Sequence, residues 1–393
     1  MKITIGGNKQ NHKMKFIDIL FVFFCLFPFI LPNPIVTTNI QPYAAMLGTL
    51  VILSELLVLN HYRIRIGRVY FFGATWFALV VAVFILIISG ISITALRALF
   101  NYYSVAVIPL AAYFVVRRLG YYPERFIKTL ILLWFAVSSF QFFIDRSFLT
   151  GIIGGVRFSY SYRGVVGLAS EPSFLGIACF YFLHMAKKFQ KHRMTFILLI
   201  LIMGILYAQS MIGTLFIGGF MAIYVLDATN TKRGMYIWIA SALAVIVFIY
   251  LLNTVLSGTR LHQLYTLFMR EGIEGLMTDV SAENRFEAIT GAIQASLGNN
   301  LLPLGFSERI GSGYGGFLCE LGFFSLPVLA AISYVMALTF HKRLSRVLYF
   351  VVVTMLLFNN TQIGNPLLLF VLAMNLVAPY IDYRSQHSEK RER

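Results

Sequence analysis

The chain has 393 residues, of which 59% are hydrophobic and 12% charged, with a mean hydropathy of +0.78. Soluble domains carry roughly a quarter of their residues as charges, so a soluble globular enzyme is excluded and a polytopic membrane protein is expected. The formal net charge of +16 therefore has to be read against a bilayer before any other polyanion.

A helical span needs about 20 mostly apolar residues. Continuous apolar runs fall at 16–33, 43–59, 69–90, 96–116, 127–144, 172–186, 194–208, 210–226, 234–253, 314–340, 347–359 and 363–380. The runs are unbroken rather than alternating, which predicts helices and not a barrel. The fold class is thus an all-α polytopic membrane protein of about 12 transmembrane helices (10–12), since the sixth, seventh and eleventh runs are short and one or two of them need not cross. Residues 1–393 form a single integral membrane domain. The first run is retained rather than cleaved, because no small-residue cleavage site closes it and "LPNP" follows.

Basic residues fall on every second connection: Lys2 to Lys15, Arg63 to Arg68, Arg117 to Lys128, Lys187 to Arg193, Lys232/Arg233, Lys342 to Arg346, and Arg384 to Arg393. The positive-inside rule then places both termini in the cytoplasm. The positive charge is a membrane-surface property, the lipid bilayer is the partner it implies, and nucleic acid is not needed as one. Cys25, Cys179 and Cys319 lie in or beside apolar runs, with no metal-ligand spacing. They read as buried structural residues.

Two outer connections are large, 145–171 and 254–313, the second long enough for helices of its own. Eight basic residues remain for the outer side: Arg97, Arg146, Arg157, Arg163, Arg260, Arg270, Arg285 and Arg309. None is lysine. The guanidinium is a planar fork that grips phosphate bidentately, whereas lysine is a point charge. The functional reading is recognition of phosphate or pyrophosphate. The alternative is pairing with the nearby acids Asp145, Glu271, Glu274, Asp279, Glu283, Glu287 and Glu308.

Within the first of these connections, "RFSYSYR" at 157–163, if extended, sets Arg157, Ser159, Ser161 and Arg163 on one face and Phe158, Tyr160 and Tyr162 on the other. "GVVGLASEPSFLG" at 164–176 then leads into a run that reaches only to about Met185 before Lys187 and Lys188. That is roughly 21 Å of helix against a hydrocarbon core of about 30 Å. Residues 164–170 are therefore expected to dip below the surface as non-helical backbone, which needs protein or a water-filled cavity around it. Ser170 is placed to cap the helix and Pro172 suits its first turn. Glu171 would stand at the mouth of that cavity.

In the second connection, 281–298 reads as an amphipathic helix with a capping box at Asn284/Glu287. Phe286, Ile289, Ile293 and Leu297 share an apolar face against protein or bilayer. Arg285 falls in its first turn, where the dipole disfavours a cation, so it needs either a neighbouring glutamate or a bound anion. Gly305, Gly311, Gly313, Gly315 and Gly316 give pliable backbone that can approach a ligand closely. Glu320 lies about two turns into the following run, placed to pair with an outer arginine.

These features resemble the O-antigen polymerase (Wzy-type) and O-antigen ligase superfamily over most of the chain: ten to twelve spans, two arginine-bearing outer segments, "NNLLPLGFS…ELGFFSL" between Asn299 and Leu326, and "SEPSFLG" at 170–176. The resemblance implies a glycosyltransferase in the bacterial cytoplasmic (inner) membrane, with its active site facing the periplasm or cell exterior. The donor would be an undecaprenyl-pyrophosphate-linked oligosaccharide and the acceptor the next lipid-linked repeat unit, and a chain-length regulator is the protein partner such an enzyme would have. Arg157, Arg163 and Arg285 would hold the pyrophosphate. Arg97, Tyr160, Tyr162, Arg260, Arg309, Tyr314 and Glu320 complete the expected substrate-binding set. The ligase branch carries a histidine just before the late span, where this chain reads Gly311-Ser312-Gly313-Tyr314-Gly315. That departure favours polymerase over ligase.

The chemistry needs a base for the acceptor hydroxyl and positive charge aimed at the leaving pyrophosphate. Glu171, Glu287 and Glu308 are the candidate bases, with Glu171 preferred. No Asp-x-Asp pair lies outside, so no metal and no cofactor is expected. The competing functions are ligase-type transfer to a lipid or protein acceptor, and a flippase or exporter for the same lipid-linked sugars.

Overall fold

A computed structural model describes residues 14–30, 40–57, 66–154, 156, 164–228, 246, 249–250, 253–254, 257–306, 313–359 and 362–389. The helices are α1 (Phe16–Leu26), α2 (Tyr43–Leu57), α3 (Ile66–Ser89), α4 (Ile93–Leu119), α5 (Glu124–Phe143), α6 (Pro172–Ala186), α7 (Arg193–Leu201), α8 (Met211–Ala228), α9 (Arg260–Met277), α10 (Val280–Gly298), α11 (Tyr314–Leu321), α12 (Leu326–Ala337), α13 (Arg343–Phe358) and α14 (Pro366–Glu389). Helix α7 continues as a π-turn over Ile202–Tyr207. No strand occurs among the described residues, where an isolated bridge joins Ile30 to Ile153.

Among the described residues, five helical stretches have the length and apolar composition to cross a membrane: Tyr70–Ser89, Ile93–Leu119, Glu124–Phe143, Met211–Ala228 and Tyr314–Ala337, the last of them interrupted at Gly322. Phe16–Leu26, Tyr43–Leu57, Pro172–Ala186, Arg193–Tyr207 and Pro366–Val377 are shorter apolar helices. The protein is α-helical and of membrane character, as its composition requires. Most of the run expected at 234–253 lies outside the described residues.

One expected span needs correction. The run 314–340 is not a single straight helix. Straight α-helix would separate Tyr314 from Ser333 by about 28 Å at 1.5 Å per residue. Yet the Tyr314 hydroxyl lies 2.8 Å from Ser333 Oγ and donates to the Leu329 carbonyl at 3.0 Å. The chain turns at Gly322 (φ +56°), which brings Tyr314 at the start of α11 back to α12. A Cβ on Gly322 would collide with the Leu301 carbonyl, and the Phe323 amide donates to that same oxygen at 2.7 Å. Glycine is needed there for both its backbone sign and its lack of a side chain.

Contacts gather three of the basic connections, at 117–128, 187–193 and 342–346, at one end. Arg118, at the close of α4, pairs with Asp18 at the start of α1 and Glu55 at the close of α2. Lys128 pairs with Glu124 at the start of α5, and the Glu124 carboxylate accepts from the Gln190 amide at 3.0 Å. Lys187, after α6, meets Asp227 at the close of α8 at 2.9 Å, and Asp227 accepts from the Lys342 amide ahead of α13. Burial lowers the Lys187 ammonium to about 8, against the hydrogen bond and charge of Asp227. The Tyr122 hydroxyl, donating to Met185 O, ties the α4–α5 turn to the foot of α6.

The Arg118 cluster is buried, with Asp18 fully enclosed. Arg118→Ala should lower stability by about 3–5 kcal/mol, because two carboxylates lose their shared cation. Thermal unfolding in detergent checks this. Adding Asp18→Asn and Glu55→Gln to the same variant should restore part of the loss, since the neutral groups no longer repel.

Helix α6 lies deep in the bundle. Every residue from Leu175 to Ala186 is buried. It crosses α8 with Gly176 against Gly213: a Cβ on either would lie 2.6–2.7 Å from the other's Cα. On its far side, Phe182 meets the edge of Trp134, whose Nε1–H donates to Leu26 O at 3.0 Å and thereby ties α5 to α1.

Candidate functional site

At the end opposite the basic clusters, residues 164–170 run as buried, non-helical backbone into α6, as the length of the apolar run requires. Each step of that backbone is held. The Val165 amide donates to Tyr207 O at 2.8 Å. The Gln141 side chain brackets Gly167: its Oε1 accepts from the Gly167 amide (2.7 Å), and its Nε2 donates to Gly167 O (2.9 Å) and Phe148 O (2.8 Å). Gly164 presses so closely on Ala208 that a Cβ would strike its carbonyl. Gly167 has φ +61°, a backbone that favours glycine.

The segment delivers Glu171 as the extended residue before α6 (φ −147°, ψ 155°), with Pro172 in the first turn. Glu171 is half-buried, and Ser173 Oγ donates to its Oε2 at 3.2 Å. The expectation that Ser170 caps the helix is corrected. Glu171 occupies the cap position, and Ser170 Oγ is buried with no hydrogen-bond partner among the described residues, as is Ser138 Oγ. The phenyl ring of Phe174 stacks on Phe29, fixing the helix start against the end of α1.

A second buried helix start was missed in the sequence. Ile363, Gly364 and Asn365 are buried ahead of Pro366, and Asn365 Oδ1 accepts from the Leu367 amide at 2.9 Å. Gly364 sits against Asn101, about two turns into α4, where a Cβ would fall 2.8 Å from Asn101 Oδ1. "IGNP" at 363–366 carried the same signal as "SEP": a cap residue followed by proline. It was hidden because the run around it is uniformly apolar.

The residue after Asn101 supplies the other polar contact. Tyr102 Oη donates to Glu320 Oε2 at 2.6 Å, and both side chains are buried. The Tyr102 ring lies between Phe317, at 4.3 Å between centroids, and Phe306, at 6.3 Å. Arg97 is one helical turn earlier on α4, exposed and on the face of Asn101. Tyr314, by contrast, is wholly inside the bundle, its hydroxyl engaged by Leu329 and Ser333 and Ser333 in turn by Thr354 (2.8 Å).

Two helices of the large outer segment connect these regions. Leu261, one residue into α9, packs on Leu206, the neighbour of the carbonyl that anchors Val165. Arg260 opens that helix. Helix α10 packs on α11 through Ala292 and Ser296, with Ser296 Oγ 3.5 Å from Cys319 Sγ. It begins at Val280, four residues before the expected Asn284/Glu287 capping box, so that box does not form the helix start. Arg285 is consequently in the second turn, half-buried, on the stripe shared with Ala292 and Ser296. Glu287 is exposed. The strap 299–306 closes the region: Leu304 N–H donates to Cys319 O at 2.9 Å.

Arg157, Tyr160, Tyr162, Arg163, Glu308 and Arg309 lie outside the described residues. Of the other outer groups, Arg270 approaches Glu271 at 3.9 Å on the surface, and the Ser147 hydroxyl and amide hold the Asp145 carboxyl below its ordinary range. All three cysteines are buried and free. Among the described residues, no three His, Cys, Asp or Glu side chains gather as metal ligands.

The arrangement sets one carboxylate at a helix start after buried backbone and a second carboxylate hydrogen-bonded by a tyrosine, with α9 packed on Leu206 and α10 packed on α11. No protein-family model, curated protein or solved structure matches this chain.

Proposed function

We propose that the chain is a polysaccharide repeat-unit polymerase. It transfers a growing glycan from an isoprenoid pyrophosphate to a lipid-linked repeat unit, on the outer side of a bacterial cytoplasmic membrane. The observation that carries this reading is Glu171. It is delivered to the start of α6 by backbone that Gln141 and Tyr207 hold below the surface, directly after the stretch bearing Arg157 and Arg163. In the reaction, Glu171 takes the proton of the acceptor hydroxyl as that oxygen bonds to the anomeric carbon. The bond from that carbon to the pyrophosphate oxygen breaks, and Arg157, Arg163 and Arg285 stabilise the charge left there. Arg97, Arg260 and Glu320 orient the saccharides. About 12 crossings with both termini in the cytoplasm agree with the gathering of three basic connections at one end.

One feature favours a second reading. Both α6 and α14 open on proline after buried, non-helical backbone. Transporters bind substrate at such interrupted helices, so a flippase for the same lipid-linked sugars is the alternative. Deletion of the gene, followed by separation of the surface glycans by length, distinguishes them. Loss of the polymerase leaves single repeat units attached at the surface. Loss of a flippase leaves units trapped inside, and long unattached chains would indicate a ligase.

A further inference from the structure

Helix α10 carries three faces rather than two. At about 3.6 residues per turn, Arg285, Ala292 and Ser296 form one stripe, and its last two members are buried against α11. About a quarter turn away, Phe286, Ile293 and Leu297 are exposed by 53%, 36% and 60%. Farther round, Glu287 and Gln294 are exposed and polar. A helix with the bundle beside it, hydrocarbon beneath and water above has this order of faces.

The strap and the turn that follow α10 meet the end of an apolar span. Beyond Leu297 the strap passes the last turns of α3, where a Cβ placed on Gly305 would lie 3.7 Å from Ile85 and 3.8 Å from Ser89. Phe324, at the turn after α11, approaches Phe77 of α3. Helix α3 is one of the five long apolar helices, and Phe84, Ile87 and Ile88 project from it with exposures of 62%, 69% and 84%. Leu297 is therefore linked through the strap to the end of that span.

We infer that α10 lies flat in the interface of the lipid leaflet opposite the basic clusters, its Phe286–Ile293–Leu297 face seated on phospholipid acyl chains. The occupant is the leaflet, because the strap links the face to the end of an apolar span and its far side is polar. Arg285, on the adjoining stripe, then stands at headgroup height. The inference does not depend on glycosyl transfer and stands or falls separately from it.

Spin labels on the single variants Glu287→Cys, Ile293→Cys, Gln294→Cys and Leu297→Cys test it, in the full chain reconstituted into phosphatidylcholine/phosphatidylglycerol vesicles. The unsubstituted protein supplies the background from its three buried cysteines. The ratio of collisions with oxygen to collisions with a water-soluble nickel chelate should be severalfold higher at 293 and 297 than at 287 and 294. Equal ratios at all four positions would overturn the inference. So would immobile labels at 293 and 297 shielded from both relaxers, which would mean that protein, such as a second copy of the chain, covers the face. Leu297→Trp gives a second readout: its fluorescence should be quenched by brominated lipid, and emission indifferent to bromine would also overturn the placement.

Discussion

Gly176→Val should prevent the bundle from assembling in its native form. The α-carbons of Gly176 and Gly213 approach so closely that a single Cβ would lie 2.6–2.7 Å from the opposite backbone. Backbone cannot yield as a flexible side chain can, so α6 and α8 would have to separate. Overpacking a rigid contact of this kind costs about 3 kcal/mol or more, a large part of the 5–15 kcal/mol that usually holds a protein folded. The expected result is aggregation on size exclusion in detergent, or a sharply lowered unfolding temperature. Gly218→Val is the control, because no described residue lies within 4 Å of that glycine's missing side chain. It should behave as the parent. A stable, monodisperse Gly176→Val protein would mean that the two helices do not cross here.

Glu171→Gln should abolish chain extension while leaving the protein folded. Glutamine keeps the length and the carbonyl oxygen that accepts from Ser173, so the helix start survives. It cannot accept the acceptor's proton. Loss of a general base lowers rate by about 10²–10⁴, enough to shift surface glycans from long polymer to single repeat units. The checks are glycan length in cells expressing the variant and an unfolding temperature equal to the parent. Near-normal polymer would remove Glu171 from the chemistry, leaving Glu287 and Glu308 as the remaining bases.

The dip of 164–170 could be read from sequence because it follows from length: fifteen residues between Pro172 and Ala186 cannot cross the hydrocarbon. Proline and a capping geometry fixed where that helix opens. The matching start at Pro366 was not legible, since hydrophobicity does not fall where the backbone leaves the helix. The turn at Gly322 was missed for the same reason. An apolar run looks alike whether it continues or folds back, and only the Leu301 carbonyl against Gly322 decides between them. Gln141 escaped notice because a lone amide in an aromatic turn has no partner in sequence. Its partners, Gly167 and Phe148, come from chain that has yet to turn back. Tyr102 and Glu320 are 218 residues apart, and no local pattern could pair them.

The three bonds of Gln141 also set a height. Because both sides of the Gly167 peptide are fixed to one side chain in the last turn of α5, the carboxylate four residues later is levelled from the foot of that helix and not from the lipid around it. The foot is pinned in turn, with Glu124 held by Lys128 and the Gln190 amide. Helix α5 thus serves as a ruler. Deleting one residue between Glu124 and Gln141 would lower the carboxylate by about 1.5 Å and swing the amide by about 100° away from Gly167. A thicker or thinner bilayer would leave that height unchanged.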